Sequence, residues 1–288
     1  MAAPVVPAVR GLRPRPPSKL RSTLVRLAVL AVFLICLVVV DARWDRLAEL
    51  PSSLATYVPL MLRGVLQNPF AEENLANWTL SLGFMLESLQ MAWIGTLIGA
   101  SFSLPLGFLA ASNVAPRPVV IVTRQILNAI RAIPDLIFAI VIMMPIFGLG
   151  PMAGGLAIGV SSIGTLGKLT SEAIEGISPG PVEAVRSSGA SPLQVVRWGM
   201  LPQALPEIVS FWLYRFEVNI RASAILGVVG AGGVGSLLGQ LFRMRDWDRI
   251  GVTLVVIIVV TIVVDQISGA VRHRIISGRA PKLGAAIV

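Results

Sequence analysis

The feature that most constrains this chain is a set of long stretches without a charged side chain. Residues 88–116 contain no Asp, Glu, Lys or Arg, and residues 251–264 are uncharged and rich in Val and Ile. The chain is 55% apolar and only 14% charged over 288 residues, which is more apolar surface than a soluble domain of that length can bury. Strands of a membrane barrel would alternate over about ten residues. The continuous runs therefore predict an all-α integral membrane protein.

We expect about six transmembrane helices, because each span needs a run of about 20 apolar residues. Their approximate positions are 27–40, 84–110, 119–147, 152–175, a fifth from about 202 to a glycine-rich stretch at 227–239, and 251–271. Pro134 predicts a kink within the third span. The segment 41–79 is expected outside the cytoplasm, and residues 54–66 within it are apolar enough to form a helix along the membrane interface.

Basic residues are concentrated at the two ends of the chain, whose net charge is +9. They are Arg10, Arg13, Arg15, Lys19, Arg21 and Arg26 at the start, and Arg272, Arg274, Arg279 and Lys282 after the last acid, Asp265. An excess of Lys and Arg marks the cytoplasmic side of a membrane protein. We therefore expect two cytoplasmic tails, 1–22 and 276–288, around a membrane domain at 23–275. No aromatic residues interleave these charges, which argues against a nucleic-acid partner.

A polar segment interrupts the apolar runs and reads EAVRSSGASPLQVVRWGMLP at residues 183–202. Pro181 can open a helix, and Glu183 then lies in its first turn, where a negative charge suits the helix dipole. Gly189 can end that helix in the left-handed conformation. Ser191 and Gln194 have the spacing of a capping box at the start of a second helix. The segment therefore predicts two short helices joined by a tight turn.

The side of the membrane on which this segment lies follows from the number of spans. Six spans with both termini inside place the loop 176–202 in the cytoplasm. Two interpretations of the loop remain open at this point. It is either an ordinary polar connector between membrane helices or a surface on which a cytoplasmic protein docks.

The fifth span carries the charges that are most expensive at membrane depth, Arg215, Glu217 and Arg221, with Asn219 between them. Such residues normally face a bundle interior or a water-filled cavity. Arg215 and Arg221 are separated by about 240° around a helix, so they do not share a face. Glu217 and Arg221 have the spacing of a favourable i,i+4 ion pair. A structural ion pair and a substrate-path role for Arg221, or for Arg131 in the third span, both fit this pattern.

Several kinds of site are excluded by the residues that the sequence lacks. His273 and Cys36 are the only residues of their types, so a His-based metal site, a Ser–His hydrolase and an intrachain disulfide have nothing to form from. Gly167-Lys168 lacks the other residues of a P-loop, and residues 230–235 match G-x-G-x-x-G without the strand that a dinucleotide site requires. We therefore expect no metal, no cofactor and no ATP site in this chain.

Two parts of the sequence resemble a known family. Glu183-Ala184, Gly189-Ala190 and Leu201-Pro202 have the spacing of the EAA loop of importer-type ABC permeases, with Val185, Val196 and Gly199 as departures. Residues 201–235 and 131–137 are similar to phosphonate ABC transporter permeases. The resemblance covers roughly residues 80–275. It implies a type I importer permease fold with a cytoplasmic coupling helix.

The resemblance also implies a function, partners and sites. The chain would be a phosphonate permease subunit in a bacterial inner membrane, embedded in lipid, paired with a second copy, two ABC ATPase subunits and an extracytoplasmic phosphonate-binding protein. The ATPase would be contacted by Glu183, Ala184, Arg186, Gly189, Ala190, Leu201 and Pro202. Independently of the resemblance, polar and charged side chains at membrane depth make Arg131, Arg215, Glu217, Asn219 and Arg221 the candidates for a substrate path.

Two alternatives to phosphonate import remain open on sequence. The substrate of an importer of this class could instead be phosphite, phosphate or methionine. A secondary transporter or channel would need no ATPase, but it predicts inverted repeats or paired discontinuous helices, and it leaves the EAA-like segment unexplained.

Overall fold

The computed structural model describes residues 19–40, 44–67 and 71–277, and every regular element in these ranges is helical. A single 3-10 turn, Trp44–Leu47, accompanies the longer helices. These are α1 (Lys19–Val39), α2 (Leu50–Leu66), α3 (Glu72–Ala110), α4 (Arg117–Ala132), α5 (Asp135–Phe147), α6 (Pro151–Glu175), α7 (Pro179–Ser187), α8 (Pro192–Ala231), α9 (Gly233–Met244) and α10 (Trp247–Ser277). The expected all-α class is confirmed. Most of the two predicted tails lies outside the described residues.

The chain divides into two compact units, with the boundary between residues 55 and 56. The first contains α1, whose residues Leu20–Val39 have a mean hydropathy of 2.6 and are long enough to span a membrane. The helix is longer than the predicted run 27–40 because it starts at Lys19 and includes two arginines. Long basic side chains near a helix end can extend to the membrane surface and so permit this.

Within the described residues, four helices are long and apolar enough to span a membrane: α1, α3, α6 and α10. Two bent pairs, α4 with α5 and α8 with α9, bring the total to as many as six. This agrees with the expected span number. The bend between α4 and α5 is 81°, which is far more than the predicted kink, because both Ile133 and Pro134 adopt extended backbone angles. The residue before a proline is biased away from helix.

The fifth span differs from its prediction. No new helix begins near Pro202, because α8 already starts at Pro192 and continues through Leu201-Pro202. The second of the two predicted short helices is therefore the first part of a long one. A π-helical stretch, Val195–Met200, precedes the proline, and such widened turns accommodate an interrupted hydrogen-bond ladder. At its other end α8 passes through a second π-helical turn, Gly227–Ala231. The helix ends at Gly232, whose backbone angles are not helical.

The centre of the second unit is formed by α3 and α6, which pack closely along small residues. A Cβ on Gly95 would press on Ile158, and one on Gly99 would overlap Ser162. Gly159 faces Ile98 in the same way, at 3.1 Å from a hypothetical Cβ. Small residues four positions apart let membrane helices approach closely in this way. The position of α6 against α3, α4, α5 and α8 brings polar residues of several helices together.

The predicted outer segment also contains a helix, α2, which is longer than the expected 54–66. It packs on the start of α10, where a Cβ on Gly251 would overlap the carbonyl of Met61. Tyr57 contacts Trp247 with 4.5 Å between ring centroids. Exposed apolar side chains, including Leu54, Val58 and Leu62, cover another part of its surface. Its placement along the membrane interface stays a prediction.

Candidate functional site

The first candidate site is the α7–α8 corner, residues 176–202, whose first element is α7. Ser178 has an extended backbone, and Pro179 occupies the first helical position, where its missing N–H is no loss. The helix therefore begins two residues before the predicted Pro181. As a result Glu183 lies beyond the first turn, which contains no acidic residue. The predicted interaction of Glu183 with the first turn of the helix dipole is wrong.

Gly189 makes the turn after α7 possible. Its φ is +82°, and its N–H donates to the carbonyl of Arg186 at 3.1 Å. Apart from Gly189 and its chain neighbours, no heavy atom of the described residues lies within 4 Å of the position that a Cβ would take. Backbone conformation alone therefore favours glycine here, since L side chains rarely adopt this region. The predicted left-handed helix end is confirmed.

The start of α8 carries the predicted capping box. The Ser191 N–H donates to Gln194 Oε1 at 2.8 Å, and the Ser191 side chain accepts from the backbone three residues on. Ser191 has extended backbone angles, and Pro192 follows it at the first helical position. These reciprocal bonds satisfy donors that a helix start otherwise leaves unpaired.

Packing joins α7 and the start of α8 into one unit. Val182 of α7 is buried with Val195 and Met200 of α8. A Cβ on Gly199 would lie 3.2 Å from the Cα of Val182, so the departure from the family pattern at this position allows close approach. Gln203 donates from Nε2 to the carbonyl of Gly199 at 2.6 Å. The corner is held by tertiary contacts as well as by its turn.

The outer surface of the corner combines charged and large apolar side chains. Of the residues predicted to contact an ATPase, Glu183, Ala184, Arg186, Gly189 and Pro202 are exposed, whereas Ala190 and Leu201 are half-buried. Leu193 is 81% exposed and Trp198 is 63% exposed. Arg197 lies over the Trp198 ring, 5.2 Å from its centroid. Exposed apolar residues rimmed by charge are typical of protein-contact surfaces.

The second candidate site is a polar network of Thr96, Asp135, Ser161, Ser162, Arg215 and Asn219. Arg215 donates from Nε to Ser162 Oγ at 3.0 Å and from Nη2 to Ser161 Oγ at 3.2 Å. Its guanidinium is also 3.7 Å from an Asp135 carboxylate oxygen, and Ser161 donates to that same carboxylate. The Arg215 side chain is only 11% exposed. The network thus surrounds a buried charge with partners from α5 and α6.

Asn219 extends the network to α3. It is fully buried, and its Nδ2 donates to Thr96 Oγ1 at 2.9 Å and to Ser162 Oγ at 3.1 Å. Buried amides are costly unless they are hydrogen-bonded. The network therefore ties four helices, α3, α5, α6 and α8, at one level of the bundle.

Glu217 and Arg221 lie outside this network, and their predicted i,i+4 ion pair is wrong. Glu217 instead accepts from Arg272 Nη2 at 2.5 Å, and Arg221 lies 3.6 Å from Asp265. Both partners belong to α10, against which this face of α8 packs. Asp265 and Arg272 are seven positions apart, or about two helical turns, so they lie on the same face of α10.

The five residues predicted for a substrate path are therefore distributed over three places. Arg215 and Asn219 join the polar network, and Glu217 and Arg221 pair with α10. Arg131 is exposed at the end of α4, and its aliphatic stem lies beside Gly164. As expected from their angular separation, Arg215 and Arg221 face different helices.

Sequence reasoning missed the hydroxyl partners Thr96, Ser161 and Ser162. Ser and Thr in membrane helices commonly bond to their own backbone, so their spacing carried little signal. Asp265, inside the apolar α10, was a signal that could have been used, since an acid at membrane depth needs a partner. Among the described residues, no three potential metal ligands come together.

The fold and sites can be compared with known proteins. A family model described as a binding-protein-dependent transport system inner membrane component matches residues 103–277. This range runs from the last turns of α3 to the end of α10. It includes the α7–α8 corner and every network residue except Thr96.

Several curated relatives are named for transport of phosphorus oxyanions, and others are named as probable D-methionine permeases. The chain is 42% identical over 191 residues to the phosphate-import permease protein PhnE of Mycolicibacterium smegmatis, covering 66% of this chain and 36% of that one. It is 42% identical over 190 residues to the phosphite transport system permease protein PtxC of Stutzerimonas stutzeri, covering 65% and 68%. A protein of Escherichia coli named as a cryptic phosphonate transport system permease, PhnE2, is 41% identical over 121 residues, covering 42% and 99%. The chain thus spans about a third of the Mycolicibacterium relative's length.

A solved structure supports the fold. The methionine ABC transporter MetNI in an inward-facing conformation contains a chain that matches with a TM-score of 0.60 and 24% identity. The match covers 72% of this chain and 99% of that one. The predicted importer-permease fold is therefore confirmed.

Proposed function

Because this chain belongs to the family of binding-protein-dependent transport system inner membrane components, we propose that it is the permease subunit of an ATP-driven importer for a small phosphorus oxyanion. The names of the relatives that are 41–42% identical cite phosphate, phosphite and phosphonate, which share a tetrahedral phosphorus with negatively charged oxygens. A separate ABC ATPase supplies the energy, and an extracytoplasmic binding protein delivers the solute. Two copies of the chain and two ATPase subunits form the transporter.

The observation that carries this proposal is the geometry of the α7–α8 corner. A short helix ends at a left-handed glycine, the next helix starts with a capping box, and both are packed into one body. Leu193 and Trp198 are exposed on α8, and Glu183 and Arg186 are exposed on α7. A packed corner with apolar and charged groups at its surface suits docking on another protein. We assign this surface to ATPase docking.

The proposed topology places the corner in the cytoplasm of a bacterium, at its inner membrane. Basic residues flanking α1 and closing α10 support cytoplasmic termini. With the six-span count, the corner falls on the same side as both termini. This is also the side on which ATP is available.

The proposed substrate path uses exposed arginines. Arg221 is 53% exposed even though it pairs with Asp265, and Arg131 is exposed at the bend between α4 and α5. A guanidinium offers paired donors that match the oxygens of an oxyanion. Because other protein groups do not engage all of these N–H donors, the donors can bind an anion that passes through. The binding must stay weak enough for the anion to leave. Arg215 has its donors engaged inside the network, so we assign it to the wall of the path.

The docking proposal is tested with two glycines of α7 and its turn. Among the described residues, nothing beyond the local backbone lies within 4 Å of a Cβ at either Gly180 or Gly189, but of these two only Gly189 has a positive φ. Gly189→Val should distort the turn, since a β-branched residue in this region is a genuine outlier. Gly180→Val is the matched control. The chain is co-expressed with its ABC ATPase, and co-purified ATPase and uptake are measured.

We expect Gly189→Val to lose both co-purification and uptake, and Gly180→Val to retain both. Equal retention in the two variants would remove the docking role of the corner. Uptake by the chain without any ATPase would instead favour a secondary transporter or channel.

The path proposal is tested at Arg221 and its observed partner. Arg221→Ala should lower uptake of phosphate, phosphite or methylphosphonate, and Arg221→Lys should be milder because the charge is kept. The double variant Arg221→Ala with Asp265→Ala distinguishes a role in contacting the solute from a role in neutralising Asp265. If Arg221 serves only to neutralise Asp265, removing both charges should restore uptake; if it faces the path, uptake stays low. Adding methionine to the uptake assay tests whether the importer's substrate is methionine instead, because methionine would then inhibit uptake.

A further inference from the structure

A carboxylate at the end of α6 joins three separate elements. Glu175 Oε1 accepts the backbone N–H of Ser112 at 2.5 Å and Arg124 Nη2 at 2.6 Å. Arg124 also donates from Nε to the carbonyl of Ala110, the last residue of α3, at 2.9 Å. The side chains of Arg124 and Glu175 are 33% and 28% exposed. One ion pair thus binds the end of α6 to α4, to α3 and to the turn between them.

A second bond supports the same turn from the other side. Asn113 donates from Nδ2 to the carbonyl of Ile174 at 2.8 Å. That carbonyl belongs to the last turn of α6, where backbone acceptors lack a helical donor. We refer to Ala110, Ser112, Asn113, Arg124 and Glu175 as the Glu175 clamp. The clamp fixes the α3–α4 turn, residues 111–116, to the end of α6.

The clamped turn is also part of the support for α7. Val114 of the turn packs against the buried cluster that Val182 of α7 forms with Val195 and Met200 of α8. It also packs against the cluster formed by Ala173, Ile174 and Ala204. Val114 therefore lies between the α7–α8 corner and the helical bundle. Only residues 176–178 separate Glu175 from the first residue of α7.

We propose that Glu175 and Arg124 are positioning residues that make the α3–α4 turn a rigid seat for α7, so that displacement of α7 moves α3, α4 and α6 together. This inference rests on the proposed docking of an ATPase at the α7–α8 corner. Without the clamp, the six-residue turn absorbs the displacement, and the bundle responds less. Packed elements pass on small shifts because they do not deform continuously.

A neighbouring ion pair on α6 is the matched control. Lys168 and Glu172 lie 3.2 Å apart one turn before Glu175, but both belong to the same helix. The pair joins no second element. Removing its acid changes the same charge by the same amount without releasing the α3–α4 turn.

The first test uses the full chain alone, in detergent, and needs no ATPase. Hydrogen exchange is compared between wild type, Glu175→Ala and Glu172→Ala. We expect the Ser112 amide and the amides of α7 to exchange at least several-fold faster in Glu175→Ala and to be unchanged in Glu172→Ala. Unchanged exchange of both segments in Glu175→Ala would overturn the seat, whatever the result for ATPase docking.

The second test measures coupling in the assembled transporter. Uptake and ATP hydrolysis are measured in proteoliposomes for transporters with equal ATPase content. We expect Glu175→Ala to lower solute moved per ATP several-fold and Glu172→Ala to leave it unchanged. Glu175→Gln keeps an oxygen acceptor for Ser112 but loses the charge, so its ratio should lie between those of wild type and Glu175→Ala.

The outcomes separate this inference from the proposed function. A wild-type ratio of uptake to hydrolysis in an assembled Glu175→Ala transporter overturns the clamp and leaves docking intact. If Glu175→Ala fails to assemble, Glu175→Gln decides in its place, and a wild-type ratio there overturns the clamp. If the wild-type chain binds no ATPase, the proposed function fails, and the exchange experiment alone reports on the seat.

Discussion

Two faces of α8 place the same kind of charge, an arginine, in opposite environments. Toward α5 and α6, Arg215 is 11% exposed and has two serine oxygens and a carboxylate around its guanidinium. Toward α10, Arg221 is 53% exposed and lies 3.6 Å from the carboxylate of Asp265. The two arginines are only six positions apart. Burial and the number of partners, rather than residue type, therefore separate a structural charge from one available to a ligand.

The difference arises from what each neighbouring helix presents. The α6 surface has small side chains, Ser161 and Ser162, which let α8 approach and also supply hydroxyl oxygens. The α10 surface presents aliphatic side chains with charged groups two turns apart. Arg215, which faces α6, is enclosed, whereas Arg221, which faces α10, stays at the edge of the helix pair. Variants on the two faces should therefore differ in how they affect stability and transport.

The largest expected effect is the loss of Arg215. Arg215→Leu leaves Asp135 without its charged partner, and breaking a buried pair commonly costs about 3–5 kcal/mol. The partial exposure of Asp135 places the expectation at the lower end of this range. Denaturant unfolding in detergent measures the change, and adding Asp135→Leu should recover part of it. A double variant as unstable as the single one would contradict the enclosed-pair interpretation.

The next effect is at Asn219, which bonds across to Thr96 and Ser162. Asn219→Leu leaves these hydroxyls without the amide, and an unsatisfied buried polar group costs about 1–3 kcal/mol. The same unfolding measurement checks it. Asn128, exposed on α4, is the matched control, and Asn128→Leu should change stability little. Similar losses in both variants would show that the network does not act as a tie between helices.

A smaller effect is expected at Glu217, which faces α10 but is itself buried. Glu217→Gln keeps an oxygen near Arg272 while removing the charge, so the loss should be about 1 kcal/mol. Glu207→Gln, at an exposed acid of the same helix, serves as the control. A loss as large as that of Arg215→Leu would erase the contrast between the two faces.

The smallest effect on stability is expected at Arg221. Since we propose that Arg221 faces a water-filled path, its pair with Asp265 counts as solvent-exposed and contributes about 0–1 kcal/mol, so Arg221→Leu should unfold at nearly the wild-type denaturant concentration. Uptake should nevertheless fall. Arg221→Leu therefore affects mainly uptake, whereas Asn219→Leu affects mainly stability. Unfolding and uptake measured on the same preparations decide this. A large loss of stability in Arg221→Leu would show that Arg221, like Arg215, is needed to hold the fold together.

The α7–α8 corner was the region most open to prediction. The left-handed Gly189 and the Ser191–Gln194 capping box depend on residues within three positions of each other, and both predictions are confirmed. The start of α7 was misplaced by two residues because Pro179 and Pro181 are equally compatible with a first helical position. The length of α8 was missed because Pro202 reads as a break, whereas the π-helical stretch before it allows the helix to continue.

The sequence by itself determined the helical membrane class, the approximate spans and the chemistry of the corner, because apolar runs, proline, glycine and caps act over a few residues. Only the tertiary structure decided which charges meet. Glu217 and Arg221 had each other in reach along α8, yet both pair with α10, and Arg215 is enclosed by serines from α6. The physical reason is that the partner of a side chain depends on which face of its helix a neighbour covers. That contact joins residues tens of positions apart, and local spacing does not encode it.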